Sequence, residues 1–98
     1  MTPDDVRRLV EPEQTALRAR GVTALFVFGS VARGEATANS DVDVIVDYDP
    51  ASDFNIIDLS GVRRRLSERL GVAVDVVTRT GVHRRIRDRV LKEAVRIL

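Results

Sequence analysis

The chain contains no cysteine and no tryptophan, and aromatic residues occupy 4% of its 98 positions. Without cysteine it can form neither disulfide bonds nor metal sites with thiolate ligands. No apolar run approaches the ~18 residues of a membrane-spanning helix, and the acidic, proline-containing start MTPDD is unlike a signal peptide. We therefore expect a cytoplasmic protein with no membrane association, and the scarcity of aromatic side chains disfavours direct nucleic-acid binding by base stacking.

The hydrophobic pattern predicts an α/β (α+β) fold in one domain spanning residues 1–98. A chain of this length buries enough surface to form one core. Runs rich in strand formers at 22–29 and 72–78, with the alternating stretch 41–48, predict three main strands. Helical patterns around them give the order α-β-β-α-β-α, which corresponds to a small sheet flanked by helices.

Helix signals mark much of the remaining chain. Pro3 suits the first position of a helix, and Pro12 interrupts the apolar pattern that follows it. Apolar spacings of three and four residues predict an amphipathic helix over 56–70. A last helix is expected at 82–90, whereas the final segment 93–98, EAVRIL, is short and apolar and fits neither pattern.

The net charge is +1, but the charges are unevenly distributed along the chain. Residues 1–62 carry 5 basic and 11 acidic side chains, whereas residues 63–98 carry 11 basic and 4 acidic ones. Two interpretations fit the basic half: the solvated faces of two helices, or a surface for a phosphate-bearing or acidic partner. The arginines concerned are Arg63, Arg64, Arg65, Arg69, Arg84, Arg85, Arg87 and Arg89.

Three aspartates stand where a strand would ordinarily present apolar side chains. Asp41 and Asp43 project from one face of the strand at 41–48, with Cα atoms roughly 6–7 Å apart, because side chains alternate along a strand. Asp75 lies among apolar residues of the third strand, and it would come within about 5 Å of this pair if the two strands were neighbours. Carboxylates so close repel one another, and a divalent cation that prefers hard oxygen ligands, such as Mg²⁺, removes the repulsion.

Structural roles are the alternative for each aspartate taken singly. Asp41 could cap a turn, and Asp43 could pair with an arginine. Asp75 could pair with Arg79. The three acids taken together favour a metal site. For His83, the only histidine, solvent exposure or a capping role is expected rather than catalysis.

The dipeptide Gly29-Ser30 precedes the aspartate pair by about ten residues. A glycine that leaves a strand allows a sharp turn and a close approach to a ligand. A serine in the first turn of a helix offers a hydroxyl beside free backbone N–H groups, which favours an anion. Arg33 can add positive charge for a bound phosphate, and Gly34 ends the short helix. The dipeptide alone is a weak signal, but its combination with Asp-x-Asp at this spacing is a strong one.

The stretch GSVARGEATANSDVDVIV resembles the signature of the DNA polymerase β-like nucleotidyltransferase superfamily. Within that superfamily the chain is most similar to the minimal nucleotidyltransferases (MNT domains), over residues from about 22 to 95. The matching positions are Gly29, Ser30, Ala32, Arg33, Gly34, Ser40, Asp41 and Asp43, with Asp75 as the third carboxylate on a later strand.

The resemblance implies a mixed sheet of three main strands and a two-metal transfer of a nucleoside monophosphate from a nucleoside triphosphate to a hydroxyl. By this resemblance Asp41 and Asp43 would ligate Mg²⁺ ions that bridge the triphosphate. Asp75 would ligate the ion nearer the acceptor and help to deprotonate the attacking hydroxyl. Gly29 and Ser30 would hold the β- and γ-phosphates. Two ions stabilise the attacking and leaving oxygens of an in-line displacement.

Arg33 would, by the same resemblance, either support the Gly29-Ser30 turn or contact phosphate. The chain ends about twenty residues after Asp75, so it has little room for an acceptor pocket, and a protein acceptor is expected. Similar MNT proteins act as antitoxins of HEPN-domain ribonuclease toxins and transfer AMP from ATP to a tyrosine of the toxin. The resemblance therefore predicts a Mg²⁺- and ATP-dependent protein adenylyltransferase with a HEPN-domain partner. An antitoxin that inhibits by binding alone, and a nucleotidyltransferase with a small-molecule acceptor, are the alternatives.

Overall fold

The computed structural model describes residues 1–98 and contains five α-helices, two 3₁₀ helices and four strands. The α-helices are α1 (Pro3–Val10), α2 (Gln14–Ala19), α3 (Gly29–Arg33), α4 (Ile56–Leu70) and α5 (Arg87–Glu93). The 3₁₀ helices span Glu11–Glu13 and Arg79–Gly81. The strands are β1 (Val22–Phe28), β2 (Val42–Tyr48), β3 (Val74–Val77) and β4 (Val95–Arg96). None of the helices combines the length and the apolar composition that crossing a bilayer demands.

The strands form one mixed sheet in the order β3-β2-β1-β4. β1 is antiparallel to both β2 and β4, whereas β2 and β3 are parallel and α4 connects them. The predicted α/β (α+β) class and mixed sheet are confirmed, but the sheet has four strands rather than three. The additional strand, β4, pairs only two residues with Phe26 and Val27 of β1, which is too short to produce a recognisable period in the sequence.

The two faces of β2 pack against different helices. Val42, Val44 and Val46 are at most 1% exposed and join a core formed with α1, α2 and α4. Ile45, on the opposite face, packs in a smaller cluster with Val82 and with Val90 of α5. The alternation read from the sequence therefore places a hydrophobic core on one side of the sheet. The opposite side is apolar only where α5 covers it.

Helix boundaries follow local capping chemistry. Thr2 forms a capping box with Asp5 at the start of α1, and Pro12 lies in the 3₁₀ helix that separates α1 from α2. Asn55 caps α4, which ends at a left-handed Gly71. These ends agree with the sequence signals.

The last helix is shorter than predicted. It begins at Arg87, not at residue 82, because the preceding residues form other structure. Thr78 accepts a hydrogen bond from the Gly81 N–H, and the exposed His83 accepts one from the Arg85 N–H through Nδ1 at 3.1 Å. Val82 is nevertheless buried. The apolar pattern that predicted one helix over 82–90 therefore comes from a buried turn followed by a helix.

Candidate active site

The sheet brings the predicted acidic residues to one edge of its α5 face. Asp43 and Asp75 are directly opposite one another in the parallel β2–β3 register, where neighbouring strands lie ~4.8 Å apart. Asp41 lies one residue before the start of β2. Asp43 is half-buried, whereas Asp41 and Asp75 are exposed. Two strands separated by a helix thus place Asp43 next to Asp75, with Asp41 two residues before Asp43 in the chain.

None of the three carboxylates has a partner within the protein. The ion pairs of the chain involve other acidic residues. Arg79 binds Asp47 through two hydrogen bonds of 2.7 and 3.0 Å and does not pair with Asp75. The Thr37–Ser40 turn is held by the Ser40 hydroxyl, which accepts from the Thr37 N–H at 2.8 Å. The structural alternatives for the three aspartates are therefore absent.

The electrostatics of Asp43 reflect this lack of partners. Burial, followed by the negative charges of Asp75 and Asp41, raises the pKa of the Asp43 carboxyl, and the positive charge of Arg33 opposes the shift. A half-buried, unpartnered carboxylate beside two others is a donor set that suits a hard divalent cation. No three acidic or histidine side chains are grouped closely enough in this structure to hold a metal ion.

The Gly29-Ser30 turn lies directly against Asp43. Gly29 follows β1, has a left-handed φ of +69° and begins α3. A Cβ atom at this position would lie 2.5 Å from Asp43 Oδ2, so a side chain would clash with the carboxylate. The Ser30 hydroxyl makes no hydrogen bond, whereas the Ser30 carbonyl accepts from the Glu35 N–H at 2.9 Å. The turn therefore has a free hydroxyl at Ser30, and the left-handed φ and the close approach of Asp43 favour glycine at position 29.

Arg33 forms ion pairs within the protein. Its Nε donates to Glu35 at 3.2 Å, and its Nη1 donates to Glu93 at 3.3 Å. Glu93 also accepts a hydrogen bond from the Gly29 N–H at 3.1 Å. Sequence reasoning missed Glu93 because it begins the unplaced segment EAVRIL, and only its acidic character in a basic region distinguishes it. The arrangement links α5 to the turn that precedes Asp43.

The surroundings of the carboxylates are open. A groove of about 550 Å³ lies between α4 and β3, where Arg63 and Arg64 line it and Val74 forms part of its floor. None of the four best-defined grooves is lined by any of the three carboxylates. These side chains are therefore reached from an open surface.

The eight arginines of the two predicted basic faces fall into two sets. Arg65 binds Glu13 at 2.8 Å, Arg69 donates to the Leu9 carbonyl, and Arg87 donates to backbone carbonyls. These contacts fix helices to neighbouring segments. The other five are exposed, and their guanidinium groups form no ion pair or hydrogen bond: Arg63, Arg64, Arg84, Arg85 and Arg89.

Comparison with known sequences identifies relatives over nearly the whole chain. A family described as a nucleotidyltransferase domain matches residues 13–97. A Methanocaldococcus jannaschii protein with a provisional protein adenylyltransferase name is 35% identical over 98 residues, which are 100% of both chains. Protein adenylyltransferase MntA of Thermococcus cleftensis is 32% identical over 96 residues, which are 97% of this chain and 95% of that protein.

Solved structures agree with these sequence matches. A structure provisionally described as a minimal nucleotidyltransferase has a TM-score of 0.77 and 35% identity, over 97% of this chain and 95% of that one. A chain from a complex of tri-AMPylated Shewanella oneidensis HEPN toxin with MNT antitoxin has a TM-score of 0.61 over 94% of this chain and 71% of that one. Its identity is 19%, so this likeness concerns the fold alone. The protein described here therefore belongs to the nucleotidyltransferase domain family, among the minimal nucleotidyltransferases.

Proposed function

We propose that this nucleotidyltransferase transfers AMP from ATP to a hydroxyl, most suitably a tyrosine, of a HEPN-domain ribonuclease toxin, and thereby acts as its antitoxin. The observation that carries this proposal is the pairing of Asp43 with Asp75 in register, beside Gly29, with no partner for either carboxylate. A fold that stabilised itself alone would gain nothing from such repulsion. The family supplies the class of reaction, and the geometry supplies the side chains that would perform it.

The acidic residues would bind the metal. Asp41, Asp43 and Asp75 supply the carboxylate oxygens that two Mg²⁺ ions would require, and their mutual repulsion fits a site completed by cations. Mg²⁺ in such a site neutralises the triphosphate and stabilises the attacking and leaving oxygens. Asp75, which is exposed, would accept the proton of the acceptor hydroxyl. A bond forms between the acceptor oxygen and the α-phosphorus as the bond to the bridging oxygen breaks, and diphosphate leaves.

The Gly29-Ser30 turn would hold the triphosphate. The Gly29 N–H donates to Glu93, so the donors suited to the β- and γ-phosphates are the free Ser30 hydroxyl and the first-turn N–H groups that follow Gly29. Gly29 allows the turn to approach Asp43 closely, so phosphates on the turn would lie beside metal held by the aspartates. Arg33 would support the turn through its ion pair with Glu93, which also accepts a hydrogen bond from the Gly29 N–H.

The partner assignment has two supports. One is that relatives carry protein adenylyltransferase names and that a chain of similar fold occurs in a complex with an AMPylated HEPN toxin. The other is the set of exposed, unpaired arginines, two of which line the groove beside β3. They are suited to contact an acidic protein surface.

Inhibition by binding alone is a second candidate. Ile56 and Ile57 at the start of α4 are 77% and 75% exposed, which is unusual for two adjacent large apolar residues and provides contact area independent of the carboxylates. This candidate would leave the partner chemically unmodified. A small-molecule acceptor is the remaining alternative.

Intact-mass spectrometry of a co-expressed HEPN-domain partner, incubated with this protein, ATP and Mg²⁺, separates these functions. We expect a mass increase of one or more AMP units that is lost in Asp43→Asn. Asp88→Asn is the matched control, because Asp88 is exposed and has no partner. An unmodified partner that co-purifies and loses ribonuclease activity would establish inhibition by binding. With neither modification nor complex, the partner assignment is wrong and small-molecule acceptors become the candidates.

A further inference from the structure

Glu93 is the one side chain that connects α5 to the Gly29-Ser30 turn. Its Oε1 accepts from the Gly29 N–H at 3.1 Å and from Arg33 Nη1 at 3.3 Å, while Oε2 lies 3.4 Å from the same Nη1. The Glu93 side chain is 19% exposed. It is therefore largely withdrawn from water and engages both a backbone donor and a guanidinium.

The fold fixes the position of this carboxylate from both sides. On the N-terminal side, Val90 packs with Ile45 in the smaller core. On the C-terminal side, Val95 pairs with Val27 in the β1–β4 register, which is two residues before Gly29. Glu93 lies between these two anchors, and its side chain consequently has little freedom to leave the turn.

The N–H that Glu93 binds belongs to Gly29, which lies against Asp43. Gly29 has a left-handed φ, and Asp43 Oδ2 lies 2.5 Å from the point where a Cβ would stand. A glycine without an acceptor for its N–H would adopt several backbone conformations. An acceptor held on α5 selects one of them and so determines where Ser30 stands relative to Asp43.

We propose that Glu93 is a positioning residue that holds the Gly29-Ser30 turn in the conformation required for nucleotide binding. This proposal rests on the proposed function, since the turn is taken to bind phosphates. Arg33 completes the arrangement, because its ion pair with Glu93 balances a carboxylate that would otherwise add negative charge near the phosphates. Glu93 acts through Gly29 and does not touch the nucleotide.

A competing role for Glu93 predicts the opposite effect on ATP binding. If the Glu93 carboxylate occupied the place of a phosphate, ATP would have to displace it, and removing its charge would tighten ATP binding. A positioning residue requires an acceptor atom and not a negative charge. The variant Glu93→Gln separates the two roles because its amide oxygen can still accept from the Gly29 N–H.

The comparison uses the full-length protein with Mg²⁺ and the ATP analogue AMP-PNP, together with steady-state transfer to the partner. Glu93→Met keeps the length of the side chain and removes the acceptor, and Glu93→Ala is a second variant in case methionine packs differently. Glu35→Gln is the matched control, because Glu35 also pairs with Arg33 but does not contact Gly29. Amide hydrogen exchange at Gly29 reports the hydrogen bond directly.

We expect Glu93→Met to weaken AMP-PNP binding about tenfold, the size associated with loss of one intramolecular hydrogen bond. The KM for ATP should rise similarly with little change in kcat, since the turn holds the phosphates in both the ground state and the transition state. Gly29 should exchange slowly in the wild type, Glu93→Gln and Glu35→Gln, and rapidly in Glu93→Met. The glutamine variants should bind AMP-PNP nearly as the wild type does.

Three results would overturn the proposal: tighter AMP-PNP binding by Glu93→Gln, unchanged binding by both Glu93→Met and Glu93→Ala, or slow Gly29 exchange in those variants. An equal loss of affinity in Glu35→Gln would mean that the ion pairs of Arg33, and not the acceptor on Glu93, determine binding. That result would also overturn the proposal. If the wild type binds AMP-PNP but modifies no partner, the proposed function fails. The binding and exchange measurements would still decide the role of Glu93.

Discussion

Replacing Asp43 by asparagine tests whether the carboxylates serve chemistry or structure. The variant keeps the shape of the side chain and removes one charge from a site where the opposing residue, Asp75, lies one strand spacing away. Two unit charges ~5 Å apart repel by about 1 kcal/mol at the dielectric constant of water, and screening by solvent and salt limits the further contribution of Asp41. Without metal, we therefore expect Asp43→Asn to increase the free energy of unfolding by about 1 kcal/mol at neutral pH.

The assay is thermal or urea unfolding in chelator and then in Mg²⁺. For a domain of this size, about 1 kcal/mol corresponds to a Tm increase of roughly 4–8 °C. Mg²⁺ should stabilise the wild type by binding the folded state, should stabilise Asp43→Asn less, and should thereby reduce or reverse the difference. Transfer activity should be abolished in the variant.

The pH dependence of this difference has a definite sign. Because the pKa of Asp43 is raised in the folded protein, the folded state takes up the proton at a higher pH than the unfolded chain does. The wild type therefore gains stability as the pH falls through the pKa of Asp43 in the folded state. The gain is complete below the pKa of Asp43 in the unfolded chain. The advantage of Asp43→Asn without metal should shrink over the same interval. Asp88→Asn should show no such dependence.

A loss of more than about 2 kcal/mol on replacing Asp43 without metal would refute this reasoning, because removal of an unpaired charge cannot produce it. Such a loss would mean that the carboxylate holds a structural hydrogen bond. A destabilisation by Mg²⁺ in the wild type would contradict the metal-binding role directly.

Three further substitutions test individual contacts. Gly29→Ala should cost about 1–2 kcal/mol from the left-handed φ alone, with additional loss from the clash with Asp43, and should abolish transfer; wild-type activity in this variant would disprove the required close approach. Asn55→Ala should lower the free energy of unfolding by about 1 kcal/mol through loss of the α4 cap, as urea titration would show, without changing the KM for ATP. Arg79→Ala removes an exposed ion pair with Asp47 and a contact with the Phe26 ring at 5.1 Å, so we expect a loss of under about 1 kcal/mol and full activity. A large loss of activity in Arg79→Ala would place this residue in the site.

Much of the sheet was predictable because its signals are local. The alternation of valines at 42, 44 and 46 determines which face of β2 is buried, and therefore which face carries Asp43. The helix over 56–70 separates two strands by enough chain for a crossover, which is the connection a parallel pair requires. The neighbouring positions of Asp43 and Asp75 follow from these two features once β3 lies beside β2.

Other parts depend on contacts that no short segment contains. β4 is two residues long, so its pairing with β1 arises from packing and not from its own pattern. The start of α5 is displaced to Arg87 because hydrogen bonds around Thr78 and His83 hold the preceding segment in turns. Glu93 meets Gly29 across 64 residues of chain, and neither residue type by itself indicates the contact. Likewise, the sequence around Arg33 does not indicate that Glu35 and Glu93 pair with it.

Core residues and the proposed site residue Asp43 lie on opposite faces of β2, and this affects how the sequences of such proteins can change. Val42, Val44 and Val46 are core residues, whereas Asp43 belongs to the proposed active site, and the two kinds of residue alternate along one strand. In a deep mutational scan, protein abundance should fall at the valine codons, while activity at normal abundance should fall at the codon for Asp43. The acidic residues could therefore be substituted during evolution without unfolding the protein. A relative that lost catalysis in this way could keep the fold and act as a binding protein.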